Sequence, residues 1–146
     1  MKKQLKRRDR PGVDRYGRTE LHYAALDGDA EKIAELIVQG ISPGAPDDDG
    51  RTPLHAAVQG GFFSACVALL EAGAPVNVRD ANGNTPLSIA VFESRGRGDI
   101  IKLLRDHGAD PRLANNHGVS PLKLALTIAN FNVRQFFDDL PVDDAN

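Results

Sequence analysis

Tryptophan is absent from this chain of 146 residues, and all aromatics together make up 5% of it. A core must therefore be built from Ala, Leu, Ile and Val, the residues that fill helical interiors. A single cysteine, Cys66, excludes an internal disulfide and fits a reducing compartment, so the expected location is cytoplasmic. No apolar run approaches the length of about 18 residues that would span a bilayer. The opening Met1-Lys2-Lys3-Gln4-Leu5-Lys6-Arg7-Arg8 is basic but has no apolar stretch behind it, unlike a secretory signal.

What is present is 41% hydrophobic and 26% charged residues, the balance of one soluble globular domain. The formal net charge of −2 conceals an asymmetry: residues 1–10 hold six basic residues against Asp9, so the other residues sum to −7. An acidic body argues against nucleic acid as the partner, because phosphates require a basic face. The basic arm, residues 1–13, reads as a solvated tail.

One stretch organises the whole chain. "GRTPLHAAVQGG" (Gly50–Gly61) has counterparts in "GRTELHYAALDG" from Gly17, "GNTPLSIAVFES" from Gly83 and "GVSPLKLALTIA" from Gly118. The first glycines are 33, 33 and 35 residues apart, a fixed period that marks stacked repeats. Within one unit, Thr52 suits a helix N-cap and Pro53 the first helical position, where its missing N–H costs nothing. Leu54, Ala57 and Val58 form an apolar face at helical spacing, and Gly60-Gly61 stop the helix. A second helix from about Ser64 to Glu71 turns Cys66, Val67, Leu69 and Leu70 inward, and Gly73 ends it as a left-handed C-cap. "PVNVRDANGN" then reads as a hairpin-like finger, with Asn82-Gly83 favouring positive φ at its turn.

The T-P-L-H-x-A signature at this period resembles the ankyrin repeat, over about residues 14–139. The resemblance implies an all-α fold: an α-solenoid of four ankyrin repeats, each helix-turn-helix plus a hairpin finger, elongated and slightly curved. The expected boundaries are a basic tail 1–13, a repeat domain 14–140 (repeats about 14–46, 47–79, 80–114 and 115–140) and a C-terminal tail 141–146. The units differ. Glu20 stands where the family has proline; Ser88 and Lys123 replace the histidine. Two extra residues lie around Ser94–Gly98, and Ala129 replaces a helix-ending glycine. The last helix, about Asn132 to Asp139, carries Phe136 and Phe137.

His22 and His55 occupy equivalent positions, so periodicity assigns them a shared packing role beside Thr19 and Thr52 rather than metal binding or catalysis. His107 sits at a helix C-terminus, where a cation is favoured. Cys66 reads as a buried small hydrophobe. Asp47-Asp48-Asp49-Gly50 resembles the start of a calcium loop, but the twelfth position is Val58 rather than a glutamate. It reads instead as a solvated turn able to meet a basic partner. No catalytic, cofactor or metal constellation is expected.

In ankyrin proteins, fingers and first helices line a concave groove, and contacts fall on positions that vary between repeats. Carried over, this implies contact residues Arg15, Tyr16 and Arg18, then Asp48, Asp49 and Arg51, then Asn82 and Asn84, and Asn116 and His117 on the fingers. On the first helices it implies Leu26, Asp27, Gln59, Phe92 and Glu93. Tyr16, Leu26 and Phe92 are the candidate anchors. Arg95 and Arg97 in the lengthened loop offer a second contact site. The implied function is a non-catalytic protein-binding module, monomeric when free. "NGNTPLSIAVFESRGRGDIIKLLRDHGADP" and "NNHGVSPLKLALTIAN" are similar to small freestanding bacterial ankyrin proteins. That similarity implies an immunity factor whose acidic fingers cover a toxin's basic cleft. The alternative is a regulatory scaffold or assembly adaptor that self-associates through Phe136 and Phe137 of the last repeat.

Overall fold

The computed structural model describes residues 11–128 and 132–141. Residues 1–10 of the basic arm, Ala129 and residues 142–146 of the tail lie outside the described residues. Two compact units divide between Pro75 and Val76. The described residues are all-helical, in the manner of an α-solenoid, with no strand.

The first unit holds α1 (Glu20–Leu26), α2 (Ala30–Val38), α3 (Pro53–Gln59) and α4 (Phe63–Glu71). Helices of seven to nine residues are too short to persist alone, so tertiary packing must hold them. Accordingly α1 packs on α2 and α3, and α4 on α2 and α3. The shared interior is Leu21, Ala25, Ile33, Leu36, Leu54, Ala57, Cys66 and Leu69, all fully or almost fully buried. Small alanines at the helix contacts admit close approach. Val67 is only half-buried, so the inward face of α4 is narrower than the expected Cys66-Val67-Leu69-Leu70. Phe62 fills the space over two glycines: a Cβ at Gly28 would come within 2.5 Å of its ring, and one at Gly60 within 2.3 Å.

The second unit holds α5 (Pro86–Glu93), α6 (Asp99–Asp106), α7 (Pro121–Thr127) and a 3-10 helix, Val133–Phe137. Here α5 packs on α6 and α7, and α7 on the 3-10 helix. That last element replaces the longer α-helix expected over Asn132–Asp139. The two phenylalanines differ in burial within the chain. Phe137 is buried, and Phe136 lies so close to Gly98 that a Cβ there would stand 2.1 Å from the ring. Arg105 fastens the element. Its guanidinium donates to both oxygens of Asp139 at 2.7 Å and to the Phe136 carbonyl at 2.8 Å, and stacks 5.2 Å from the Phe137 ring. Bidentate geometry of this kind fixes orientation as well as charge.

The helix starts follow their sequence signals. Thr19, Thr52, Thr85 and Ser120 each accept from the backbone N–H three residues on, and Pro53, Pro86 and Pro121 occupy the first helical position. The lengthened connection spans residues 94–98, against 27–29 and 60–62 in the first unit. Arg95 there adopts φ +51°, the one positive value at a non-glycine among the described residues.

The four fingers share one construction. Asp14, Asp47, Asp80 and Asn115 each accept, through Oδ1, the N–H groups two and four residues ahead, at 2.8–3.0 Å. A backbone turn closes beneath: in the third finger the Gly83 N–H donates to the Asp80 carbonyl at 2.8 Å, and the Asp80 N–H to the Asn84 carbonyl at 3.0 Å. The turn places only Gly83 at positive φ (+79°); Asn82 does not share it. A three-residue loop ending in one left-handed glycine therefore forms, rather than a two-residue turn with both central residues left-handed. Gly83 is required twice over, because a Cβ would also lie 2.7 Å from the Asn116 backbone nitrogen.

Candidate functional site

The two repeated histidines are occupied by the fold. The Thr19 N–H donates to His22 Nδ1 at 3.0 Å, and the Thr19 hydroxyl lies at the same distance. His22 Nε2 donates to the Arg51 carbonyl at 2.9 Å, tying the first helix of one repeat to the finger of the next. An acceptor at Nδ1 and a donor at Nε2 define the neutral imidazole. Burial holds its pKa below the ordinary value of 6.5. His55 repeats the Nδ1 arrangement with Thr52, at 3.0 Å from its N–H and 2.9 Å from its hydroxyl. His107 caps α6 and its Nδ1 lies 2.9 Å from the Leu103 carbonyl. Cys66 is buried.

Asp47 is also used internally. Its side chain is only 7% exposed, its Oδ1 holds two backbone N–H groups, and its Oδ2 faces Arg18 Nε at 4.0 Å. The expectation of a solvated aspartate turn is thus corrected for Asp47, because the finger needs its carboxylate as an acceptor. Asp48 and Asp49 remain exposed at the tip.

Beside this aspartate, an open cleft lies on the first unit. Arg18, Asp47 and Arg51 from two adjacent fingers supply its charged side; His22 and Thr52 line it too. Leu26 from α1 and Ala56 and Gln59 from α3 complete it. Four expected contact residues from two adjacent repeats, Arg18 and Leu26 of the first and Arg51 and Gln59 of the second, are thereby brought together. Arg51 Nε is buried with no hydrogen-bond partner, alone in this among side-chain atoms of the described residues.

The outer side of the first finger is aromatic and cationic. Tyr16 is 49% exposed, and the Arg15 and Arg18 guanidinium groups lie 4.9 and 5.2 Å from its ring centroid. Arg15 Nη2 donates to the Tyr16 hydroxyl at 2.7 Å. The Tyr23 hydroxyl donates to Asp14 Oδ2. Partial desolvation pushes the Asp14 carboxyl up, but Tyr23 and the N–H groups of Arg18 and Tyr16 together hold it below the usual value.

In the second unit Phe92 is 71% exposed at the end of α5, beside half-buried Glu93. Asn82 and His117 are exposed on their fingers. Asn84 and Asn116 are partly consumed by the fold. Asn84 Oδ1 accepts from Asn115 Nδ2 at 3.0 Å, while Asn116 Nδ2 donates to the Ala81 carbonyl at 2.9 Å and its Oδ1 accepts from Arg79. Asp27, Arg95 and Arg97 are exposed.

The sequence reading missed the four acceptors that build the fingers, although Asp or Asn stands three residues before each repeat glycine. It also missed exposed Tyr23, Val38 and Phe63.

A family model for ankyrin repeats, covering three copies, matches residues 21–115. The chain belongs to the ankyrin repeat family. Ankyrin repeats are in general modules for binding other proteins, typically without catalysis of their own. No curated protein matched this ankyrin chain. No helix among the described residues is long and apolar enough to cross a membrane.

Proposed function

We propose that this ankyrin protein is a non-catalytic, cytoplasmic module that grips one partner protein through its finger tips and the exposed ends of its first helices. The repeat domain spans 14–140 and presents Arg15, Tyr16, Arg18, Leu26, Asp27, Asp48, Asp49, Arg51 and Gln59 on the first unit. The second unit presents Asn82, Asn84, Phe92, Glu93, Asn116 and His117. The observation that carries the reading is the exposure of Phe92 and Tyr16 on elements whose own backbones are rigidly satisfied. Large exposed aromatics on a preordered frame lose little entropy on docking and are the usual centres of binding energy. His22 supports the same reading, since both of its ring nitrogens serve the frame.

The experiment is affinity capture from a native lysate, with wild type beside a Tyr16→Ala/Phe92→Ala variant of unchanged melting temperature. A partner held by wild type and lost by the variant supports the reading; an equal yield from both overturns the assignment of these anchors. The narrower form of the proposal is an inhibitor of a toxin. The surplus acidity of residues 11–146 and the exposed Asp48 and Asp49 favour a basic surface on that partner. Recovery of a basic nuclease or transferase whose activity falls on binding supports it; a partner with no such activity removes it.

A further inference from the structure

We propose that the cleft of the first unit is an anchoring subsite that takes one acidic side chain, glutamate or aspartate, from the partner protein. Two arginines, Arg18 and Arg51, meet one carboxylate there. That carboxylate, Asp47, is engaged by two backbone N–H groups and by Arg18. His22 adds no charge, because both of its ring nitrogens are bonded in the neutral form. The lining therefore holds two cations against one carboxylate; Asp14, just outside it, acts on Arg18 as well, which leaves Arg51 as the cation open to a partner's acid. Arg51 Nε is a buried donor without an acceptor. A donor of this kind is costly to leave unmade, and a carboxylate oxygen is its strongest complement. Leu26 and Ala56 provide an apolar wall against which the methylenes of a glutamate lie, and Gln59 offers an amide at the rim.

The subsite rests on the protein-binding reading and deepens it. A surface meant for a basic partner would be served by Asp48 and Asp49. The cleft a few residues away selects the opposite charge, so the partner must carry an acidic anchor at that point.

The test is a titration of the ¹⁵N-labelled full chain with acetyl-hexaglutamate-amide, following the Arg51 Nε–H and Gln59 amide resonances. Acetyl-hexaglutamine-amide and inorganic phosphate serve as comparison ligands. The expected result is a saturable shift of both resonances with the glutamate peptide and none with the glutamine peptide. Arg51→Met should weaken that binding by about tenfold or more, as loss of a charge-assisted hydrogen bond implies. Its backbone carbonyl still accepts from His22, so the fold survives. The proposal is overturned by an unmoved Arg51 resonance, by equal shifts with the glutamine peptide, by undiminished binding to Arg51→Met, or by a larger response to phosphate. Any of these leaves the capture experiment with Tyr16 and Phe92 intact, whereas loss of partner capture leaves the peptide titration intact.

Discussion

His22→Ala isolates the contribution of the repeated histidine. The substitution removes the acceptor of the Thr19 N–H and the donor to the Arg51 carbonyl, at 3.0 and 2.9 Å, in a site that is almost fully buried. Loss of the capping box and of one long-range bond with its stranded acceptor should cost about 2–4 kcal/mol. For a chain of this size that lowers the melting temperature by roughly 5–15 °C. The sign with pH follows from burial, which holds the folded imidazole below its ordinary pKa of 6.5. Above that value both states are neutral and the contribution is fully present. As pH falls through 6.5 the unfolded chain takes the proton first, so wild type loses stability until the folded imidazole itself titrates. The variant lacks this loss, and the gap between the two narrows between pH 7.5 and 5.5. Urea unfolding at both pH values measures it. A variant that melts within about 2 °C of wild type, or a gap that widens in acid, refutes the assignment.

Three further outcomes follow from the frame. Asp80→Ala deprives the Asn82 and Asn84 N–H groups of their acceptor and should cost about 1–2 kcal/mol in urea unfolding, whereas Asp80→Asn should cost under about 0.5 kcal/mol, since an amide oxygen does this work at Asn115. Gly98→Ala forces the Phe136 ring aside and should destabilise by about 1–3 kcal/mol, read from the same assay. Arg105→Ala should speed amide exchange across Val133–Phe137 while leaving Leu21 and Leu54 at wild-type rates, because the last element loses both Asp139 and the Phe136 carbonyl.

The repeat was legible because its markers act locally. A threonine cap, a proline at the first helical position and a left-handed glycine each impose backbone geometry within a few residues, so Gly73 and Thr52 could be placed from sequence. Features that depend on partners far along the chain were not legible. Phe136 and Phe137 read as an exposed apolar pair, whereas Phe137 is buried and Phe136 half-buried beside Arg105 and Gly98, some thirty residues earlier. Asp47 read as solvent-facing because its acceptors' role depends on the closed finger, and Asn116 read as a contact residue because its bond to the Ala81 carbonyl spans a whole repeat. Within the candidate site, Arg18, Leu26, Arg51 and Gln59 were named individually. That they close one cleft required the crossing of two repeats, which no single repeat encodes.

The central claim is that the exposed tips, and not the repeated histidines, carry the function. Capture from a native lysate tests it most directly, with wild type, Tyr16→Ala/Phe92→Ala and His22→Ala compared at a temperature where all three remain folded. A stoichiometric protein partner is expected with wild type and with folded His22→Ala, and none with Tyr16→Ala/Phe92→Ala. A partner retained by the aromatic variant and lost by folded His22→Ala would contradict it.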